Sequence, residues 1–169
     1  MNLGMKESSV NTLFQLLRSA LGSQSAEGLP SDIDWKEVID LSFEQGVAAI
    51  AVDGLGFAHD NDDDNLNQES LEPALDSPEL EDVKYEWFGA VFLCEEDYQG
   101  YLAKLQELMG LYRSEGIRAM VLKGYGLGLN YPIPAHRPTG DVDVYLINDD
   151  DNDNLNRLPA WKRGDEVIR

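Results

Sequence analysis

Two aspartates separated by a single valine, Asp141 and Asp143, open an apolar stretch that ends at Ile147. Alternation of polar and apolar residues predicts a half-buried strand over 141–147. Because residues two apart on a strand project from the same face, the two carboxylates are expected to lie side by side. Like charges held so closely repel unless a cation or a proton intervenes. Hard oxygen ligands favour Mg²⁺ or Mn²⁺, which also hold substrate phosphates, so the pair predicts a divalent metal site.

A Lys-Gly dipeptide, Lys123-Gly124, precedes the aspartates. It follows a predicted strand over 117–122 and precedes a predicted short helix over 125–131. Glycine lets phosphates approach the backbone amides, and a helix N-terminus attracts anions. A carboxylate pair facing such a turn is the arrangement that phosphoryl or nucleotidyl transfer needs. The Asp-x-Asp pattern is unspecific by itself, since glycosyltransferases also use it, and glycosyl transfer stays a weaker alternative.

The first 58 residues read as a helical subdomain. Helical spacing of apolar residues follows a cap at Ser8 or Ser9, and a second start signal lies at 31–34. Gly46 is expected to end the second helix, and a short apolar helix is predicted over 47–55.

An acidic segment, 59–82, separates this part from the rest and reads as a solvated linker or surface loop. Residues 60–80 are expected to be mobile or irregular. Three aspartates at 60, 62 and 64 have the spacing of a calcium loop, but Asn65 and Leu71 stand where that loop needs glycine and glutamate. The aspartate run at 149–153 fails the same test.

Residues 83–169 are predicted to form an α/β core. A helix is expected over 83–115, ended by Gly116, and hydrophobic periodicity then changes from 3.6 to 2. The helix carries an apolar stripe that is expected to face the core: Tyr98, Tyr101, Leu102, Leu105, Leu108, Met109 and Tyr112. The fold class is therefore α+β, with a small mixed sheet in which 117–122 pairs with 141–147.

Charge and composition exclude several classes of partner. The net charge is −19, and this repels a phosphate backbone, so neither an extended nucleic-acid surface nor an anionic membrane is expected. A nucleotide held through metal remains compatible, because the metal reverses the local charge. The single cysteine, Cys94, fits a reducing compartment, and no stretch approaches the roughly 20 apolar residues of a membrane helix. A cytoplasmic protein is predicted.

The pattern "VLKG…LNYP…RPTGDVDVYL" resembles the uncharacterised bacterial nucleotidyltransferase family, a branch of the polymerase-beta-like nucleotidyltransferase superfamily. The specific resemblance covers 121–146, and a weaker one covers "IDWKEVIDLSFEQGVAAI". It implies a nucleoside triphosphate substrate, an unknown acceptor hydroxyl and Mg²⁺ or Mn²⁺. Asp141 and Asp143 would be the catalytic metal ligands, with Lys123, Gly124 and Arg137 at the phosphates.

Individual roles within this pattern stay open. Lys123 either neutralises a triphosphate or pairs with Asp143, and Arg137 either contacts phosphate or braces the loop against Asp141. Gly140 is expected to allow close packing, and His136 is expected to be exposed to solvent rather than catalytic.

Enzymes of this superfamily bring a third carboxylate from a later strand as general base. Glu166 could begin such a strand, but few residues follow it. The sequence thus predicts a shortened enzyme or, alternatively, a catalytically incomplete module that binds a nucleotide or a protein. A homo-oligomer that covers the open sheet edge is a possible form of such a module.

Overall fold

The computed structural model describes residues 6–23, 29–30, 32–56, 81–148 and 159–168. Six α-helices, one 3₁₀ turn and two strands lie in these ranges, which confirms the predicted α+β class. In chain order they are α1 (Glu7–Ala20), α2 (Trp35–Glu44), α3 (Ala48–Asp53), α4 (Glu81–Ser114), β1 (Ile117–Val121), α5 (Tyr125–Gly128), the 3₁₀ turn Pro134–His136, β2 (Val144–Asn148) and α6 (Ala160–Val167). No helix among these ranges is long and apolar enough to cross a membrane. The acidic segment 60–80 and the aspartates at 149–153 lie outside the described residues.

The described chain forms two compact units. The first contains the residues up to Glu95 together with His136–Pro138, and the second contains Glu96–Ala135 and the residues from Thr139 onward. Helix α4 is continuous across residue 95. The predicted domain boundaries at 58 and 82 stay predictions.

The first unit has a helical core built from α1, α2, α3 and the first part of α4. Trp35 and Trp87 meet edge to face, with their ring centroids 6.1 Å apart. At Gly54, α3 approaches α1 so closely that a β-carbon would overlap the backbone of Leu16. The most deeply buried apolar residues of this core include Leu16, Val38, Ile39, Ala51, Leu55 and Trp87.

A local capping residue marks the start of α2, whereas the candidate cap near the start of α1 makes a tertiary contact instead. Asp34 caps α2, since its carboxylate accepts a hydrogen bond from the Glu37 backbone N–H at 3.2 Å. The predicted Ser8 or Ser9 cap of α1 is wrong, because α1 begins at Glu7 after Lys6. Ser9 is buried instead, and its hydroxyl donates to the Glu37 carboxylate at 2.5 Å, linking α1 to α2.

The second unit is built on a two-stranded antiparallel sheet, in which β1 pairs with β2 from Ile117↔Asn148 to Val121↔Val144. This confirms the predicted pairing of the two segments. The sheet had been expected to be mixed, but the two strands of the described chain are antiparallel. Three residues of the predicted stripe on α4 are buried, namely Tyr101, Leu105 and Tyr112.

Helix α6 covers one face of this sheet. A β-carbon at Gly164 would overlap the Leu146 side chain and lie 3.3 Å from the Tyr112 ring, so the helix rests directly on β2. Arg163 fastens the helix by donating to the Asn148 side chain at 2.8 Å and to the Glu115 carbonyl.

Candidate functional site

The Lys123-Gly124 turn leaves the sheet beside the aspartates. Beyond the last paired residue of β1, the Leu122 backbone N–H donates to the Asp143 carbonyl at 2.9 Å. This hydrogen bond continues the ladder by one residue and aligns the turn with the segment that enters β2. Lys123 Nζ then lies 3.6 Å from Asp143 Oδ2.

Gly124 brings the turn against the backbone of Asp141. Its φ of +64° and ψ of −104° belong to a region that side-chain-bearing residues rarely adopt. A β-carbon here would lie 3.1 Å from the Asp141 carbonyl oxygen and 3.2 Å from Tyr101 Oη. The backbone conformation therefore favours glycine at this position, and a side chain would also require its neighbours to shift by a few tenths of an ångström.

The two aspartates precede β2 rather than lying on it. The predicted strand started at Asp141, whereas β2 begins at Val144. Asp141 is exposed, and the Asp143 side chain is 45% exposed. Because Asp143 lies opposite Leu122 in the extended ladder, strand alternation places it on the same face as Tyr145.

That face of the sheet is open. Met120 lies opposite Tyr145, and the two side chains are 55% and 58% exposed. Arg118 and Ile147 form the next pair on the same face, and both are exposed. A ligand can therefore reach Asp143 along an apolar surface, while α6 covers the opposite face.

Glu166 lies in helix α6. The prediction that Glu166 begins a strand is wrong, since it lies in α6. The helix contacts Leu146, which belongs to the covered face, whereas Asp143 belongs to the open one. Within the described ranges, no three His, Cys, Asp or Glu side chains are grouped so that they could hold a metal ion.

His136 corrects another prediction. It had been expected to be exposed to solvent, but it is 5% exposed. Its Nδ1 lies 2.6 Å from Asp53 Oδ1, and its Nε2 lies 3.2 Å from Glu95 Oε1, all within the first unit. Burial lowers the pKa of His136, but the hydrogen bonds and charges of Asp53 and Glu95 together outweigh it, so the pKa is raised.

Sequence reasoning missed this cluster because Asp53 and Glu95 lie 83 and 41 residues from His136. No local pattern marks partners at such separations. Arg137, the next residue, is partly buried, and its predicted contact with phosphate or with Asp141 stays a prediction. Gly140 is exposed, and a β-carbon there would meet nothing within 4 Å, so the expectation of close packing at Gly140 is wrong.

The aspartate pair suits magnesium chemically. Mg²⁺ commonly keeps several waters and is held by one or two carboxylates together with substrate phosphates. Asp141 and Asp143 supply two accessible carboxylates, and Lys123 supplies a positive charge beside them. The donor set therefore fits a magnesium ion that completes its coordination with water and phosphate oxygens.

An α+β chain that holds a Lys-Gly turn against an Asp-x-Asp segment has the features expected of the nucleotidyltransferase class. Residues 31–158 match the model of a family described as uncharacterised nucleotidyltransferase, and the chain belongs to this family. The match includes both the turn and the aspartates, and it confirms the resemblance found in the sequence. No curated protein and no solved structure matches the chain.

Proposed function

We propose that this protein transfers a nucleoside monophosphate from a nucleoside triphosphate to an acceptor hydroxyl, with Asp141 and Asp143 as the metal-binding carboxylates. The observation that carries this proposal is the approach of the Lys123-Gly124 turn to both aspartates. The turn lies against the Asp141 backbone, and Lys123 Nζ is 3.6 Å from Asp143 Oδ2. Family membership supports the reaction class, and the geometry supports the assignment of residues.

In the proposed site, the bound metal, the glycine turn and Lys123 have separate roles in binding the triphosphate. Bound magnesium would neutralise charge on the phosphates and orient the attacking hydroxyl. Gly124 lets the turn pack against the Asp141 backbone, and Lys123, whose side chain is 80% exposed, can turn from Asp143 toward a phosphate. An exposed ion pair of this kind contributes less than about 1 kcal/mol, so exchanging it for a phosphate contact costs little.

The open sheet face gives the substrate its approach. Met120 and Tyr145 lie on the same face as Asp143 and offer an apolar surface beside the charged groups. A nucleotide combines a charged triphosphate with an aromatic base, and aromatic side chains stack on bases. The proposed orientation places the triphosphate at the turn and the base along this face.

Metal binding tests the aspartates directly. Mg²⁺ or Mn²⁺ should stabilise the wild type by binding linkage, by about 2.7 kcal/mol at one hundred times Kd, and should therefore raise its melting temperature. Asp143→Asn should abolish most of this gain because it removes one charged ligand with little change in volume. The matched control is Asp97→Asn, which removes another exposed carboxylate of the second unit. Equal metal-induced shifts in all three proteins would show that the ion binds other acidic residues.

Nucleotide binding tests the turn. In isothermal titration with Mg²⁺ and non-hydrolysable triphosphates, Lys123→Ala should weaken binding if Lys123 contacts phosphate. Unchanged affinity would assign Lys123 to its ion pair with Asp143 alone. Transfer of a labelled nucleotide is a separate measurement. If no further carboxylate acts as general base, transfer should be slower by roughly 10²–10⁴. Binding without any transfer would identify the alternative binding module.

A further inference from the structure

Tyr101 carries an unpaired hydroxyl in the interior of the second unit. The residue is 8% exposed, and among the described residues its Oη has no hydrogen-bond partner. Buried polar groups are nearly always hydrogen-bonded, because leaving one unpaired is costly. An orphaned hydroxyl therefore needs an explanation, and its position in the unit supplies one.

The hydroxyl lies at the proposed phosphate turn. The point where a β-carbon would stand on Gly124 is 3.2 Å from Tyr101 Oη and 3.1 Å from the Asp141 carbonyl oxygen. A hydroxyl donor and a carbonyl acceptor thus flank the same side of Gly124 without bonding to each other. A small movement of the turn would change their separation, because the turn is packed against the Asp141 backbone at Gly124.

Helix α4 contacts the same turn at a second point. Tyr98, three residues before Tyr101, stacks on Tyr125, with ring centroids 6.4 Å apart and planes 23° from parallel. Tyr125 directly follows Gly124 and begins α5. Tyr98 and Tyr101, which are neighbours on one face of α4, therefore contact the consecutive residues Tyr125 and Gly124. A movement of the Lys123-Gly124 turn would change the surroundings of the Tyr101 hydroxyl.

We propose that Tyr101 is a positioning residue of the nucleotide site, whose hydroxyl donates to the Asp141 backbone carbonyl only when a triphosphate occupies the Lys123-Gly124 turn. The inference rests on the proposed function. A ligand shifts a protein only toward the state to which it binds more tightly. Here the occupied state gains a hydrogen bond that the free state lacks, and that bond fixes the chain at Asp141. Tyr101 acts through Asp141 and does not contact the reacting atoms.

The conservative variant Tyr101→Phe separates positioning from structural support. Because the hydroxyl makes no hydrogen bond in the free protein, its removal should leave the urea midpoint unchanged or slightly higher. The Kd for a triphosphate should rise about 2- to 12-fold, the equivalent of one net hydrogen bond. The probes are the α,β-methylene analogues of ATP, GTP, CTP and UTP, each with Mg²⁺, and the tightest binder is used to compare the variants.

Tyr112→Phe is the matched control. Tyr112 lies on the same helix and is 3% exposed, but it packs beside Gly164 of α6 rather than at the turn. Loss of the Tyr112 hydroxyl should leave the triphosphate Kd unchanged, whether or not it alters the free energy of unfolding.

Each outcome decides the proposal. A Kd that is the same in Tyr101→Phe and wild type overturns the role of Tyr101 while leaving the proposed function intact. A lower urea midpoint in Tyr101→Phe also overturns it, since the hydroxyl would then already be bonded in the free protein. A wild type that binds none of the four analogues refutes the proposed function, and this inference with it.

Discussion

Replacing Asp53 by asparagine should destabilise the protein by a predictable amount. His136 and Asp53 side chains are 6% and 11% exposed and meet at 2.6 Å, whereas Glu95 is 54% exposed and lies 3.2 Å from the ring. A hydrogen bond to a charged group is worth about 1.5–3 kcal/mol when it is sheltered. Solvent screening reduces the Glu95 contact to below about 1 kcal/mol. Asp53→Asn should therefore cost about 1.5–3 kcal/mol, and Glu95→Gln clearly less.

The cost should depend on pH in a defined direction. The pKa of His136 is raised in the folded protein, so folding favours the protonated ring. The resulting stabilisation is fully present below the ordinary histidine pKa of about 6.5, and it is lost as pH rises through the higher folded value. Wild-type stability should fall across this window. Asp53→Asn should show a shallower fall, because it removes the main group that favours the protonated ring.

Thermal denaturation between about pH 6 and about pH 9 measures both effects. For a chain of this length, about 2–4 °C of melting temperature corresponds to 1 kcal/mol, so Asp53→Asn should melt roughly 3–12 °C below wild type at the acid end. Glu95→Gln is the control for loss of one carboxylate beside the same ring. Equal losses in the two variants, or a wild-type melting temperature that is flat or rises through this pH range, would refute the reasoning.

Two glycine substitutions make further predictions. Gly124→Ala should destabilise the protein by about 1–3 kcal/mol and weaken triphosphate binding. The control Gly116→Ala has a similar φ of +66° but no atom within 4 Å of its β-carbon, so it should destabilise less and leave binding unchanged. Equal urea midpoints for the two variants would contradict this prediction. Gly54→Ala should cost about 1–3 kcal/mol or more, because its β-carbon would overlap the Leu16 backbone. The control Gly110→Ala lies in α4 with no atom within 4 Å of its β-carbon, so it should stabilise the protein by about 0.5–1 kcal/mol. A Gly54→Ala protein as stable as wild type would exclude the close contact between α3 and α1.

Element boundaries were predictable where a local signal sets them. The Asp34 cap begins α2, and Gly46 and Gly116, both with positive φ, follow the ends of α2 and α4. These residues act through their own backbone conformation or through a neighbour three positions away, so the signal is in the sequence itself. The pairing of β1 with β2 was predictable from the alternation in both segments, whereas their antiparallel direction and register are known only from the structure.

Boundaries and roles that depend on distant residues were not predictable. Ser9 has the residue type of a cap, but Glu37 recruits its hydroxyl from another helix. His136 sits in a proline-rich loop that favours exposure, but carboxylates from α3 and α4 hold it in the interior. In each case a polar side chain is buried because a partner far along the chain satisfies it, and burial of a polar group is favourable only with such a partner.

In the candidate site, one property of Tyr101 was predictable from the sequence and another was not. Hydrophobic spacing on α4 predicts that Tyr101 faces the core, and it does. The spacing cannot distinguish a tyrosine that only fills volume from one whose hydroxyl lies unpaired beside Gly124, since both have the same periodicity. Tyr112 satisfies the same pattern on the same helix, and what separates the two is a distance of 3.2 Å to a position on a turn 23 residues later. The motif therefore locates the turn and the aspartates, but the residue proposed to position them is identified only by the fold.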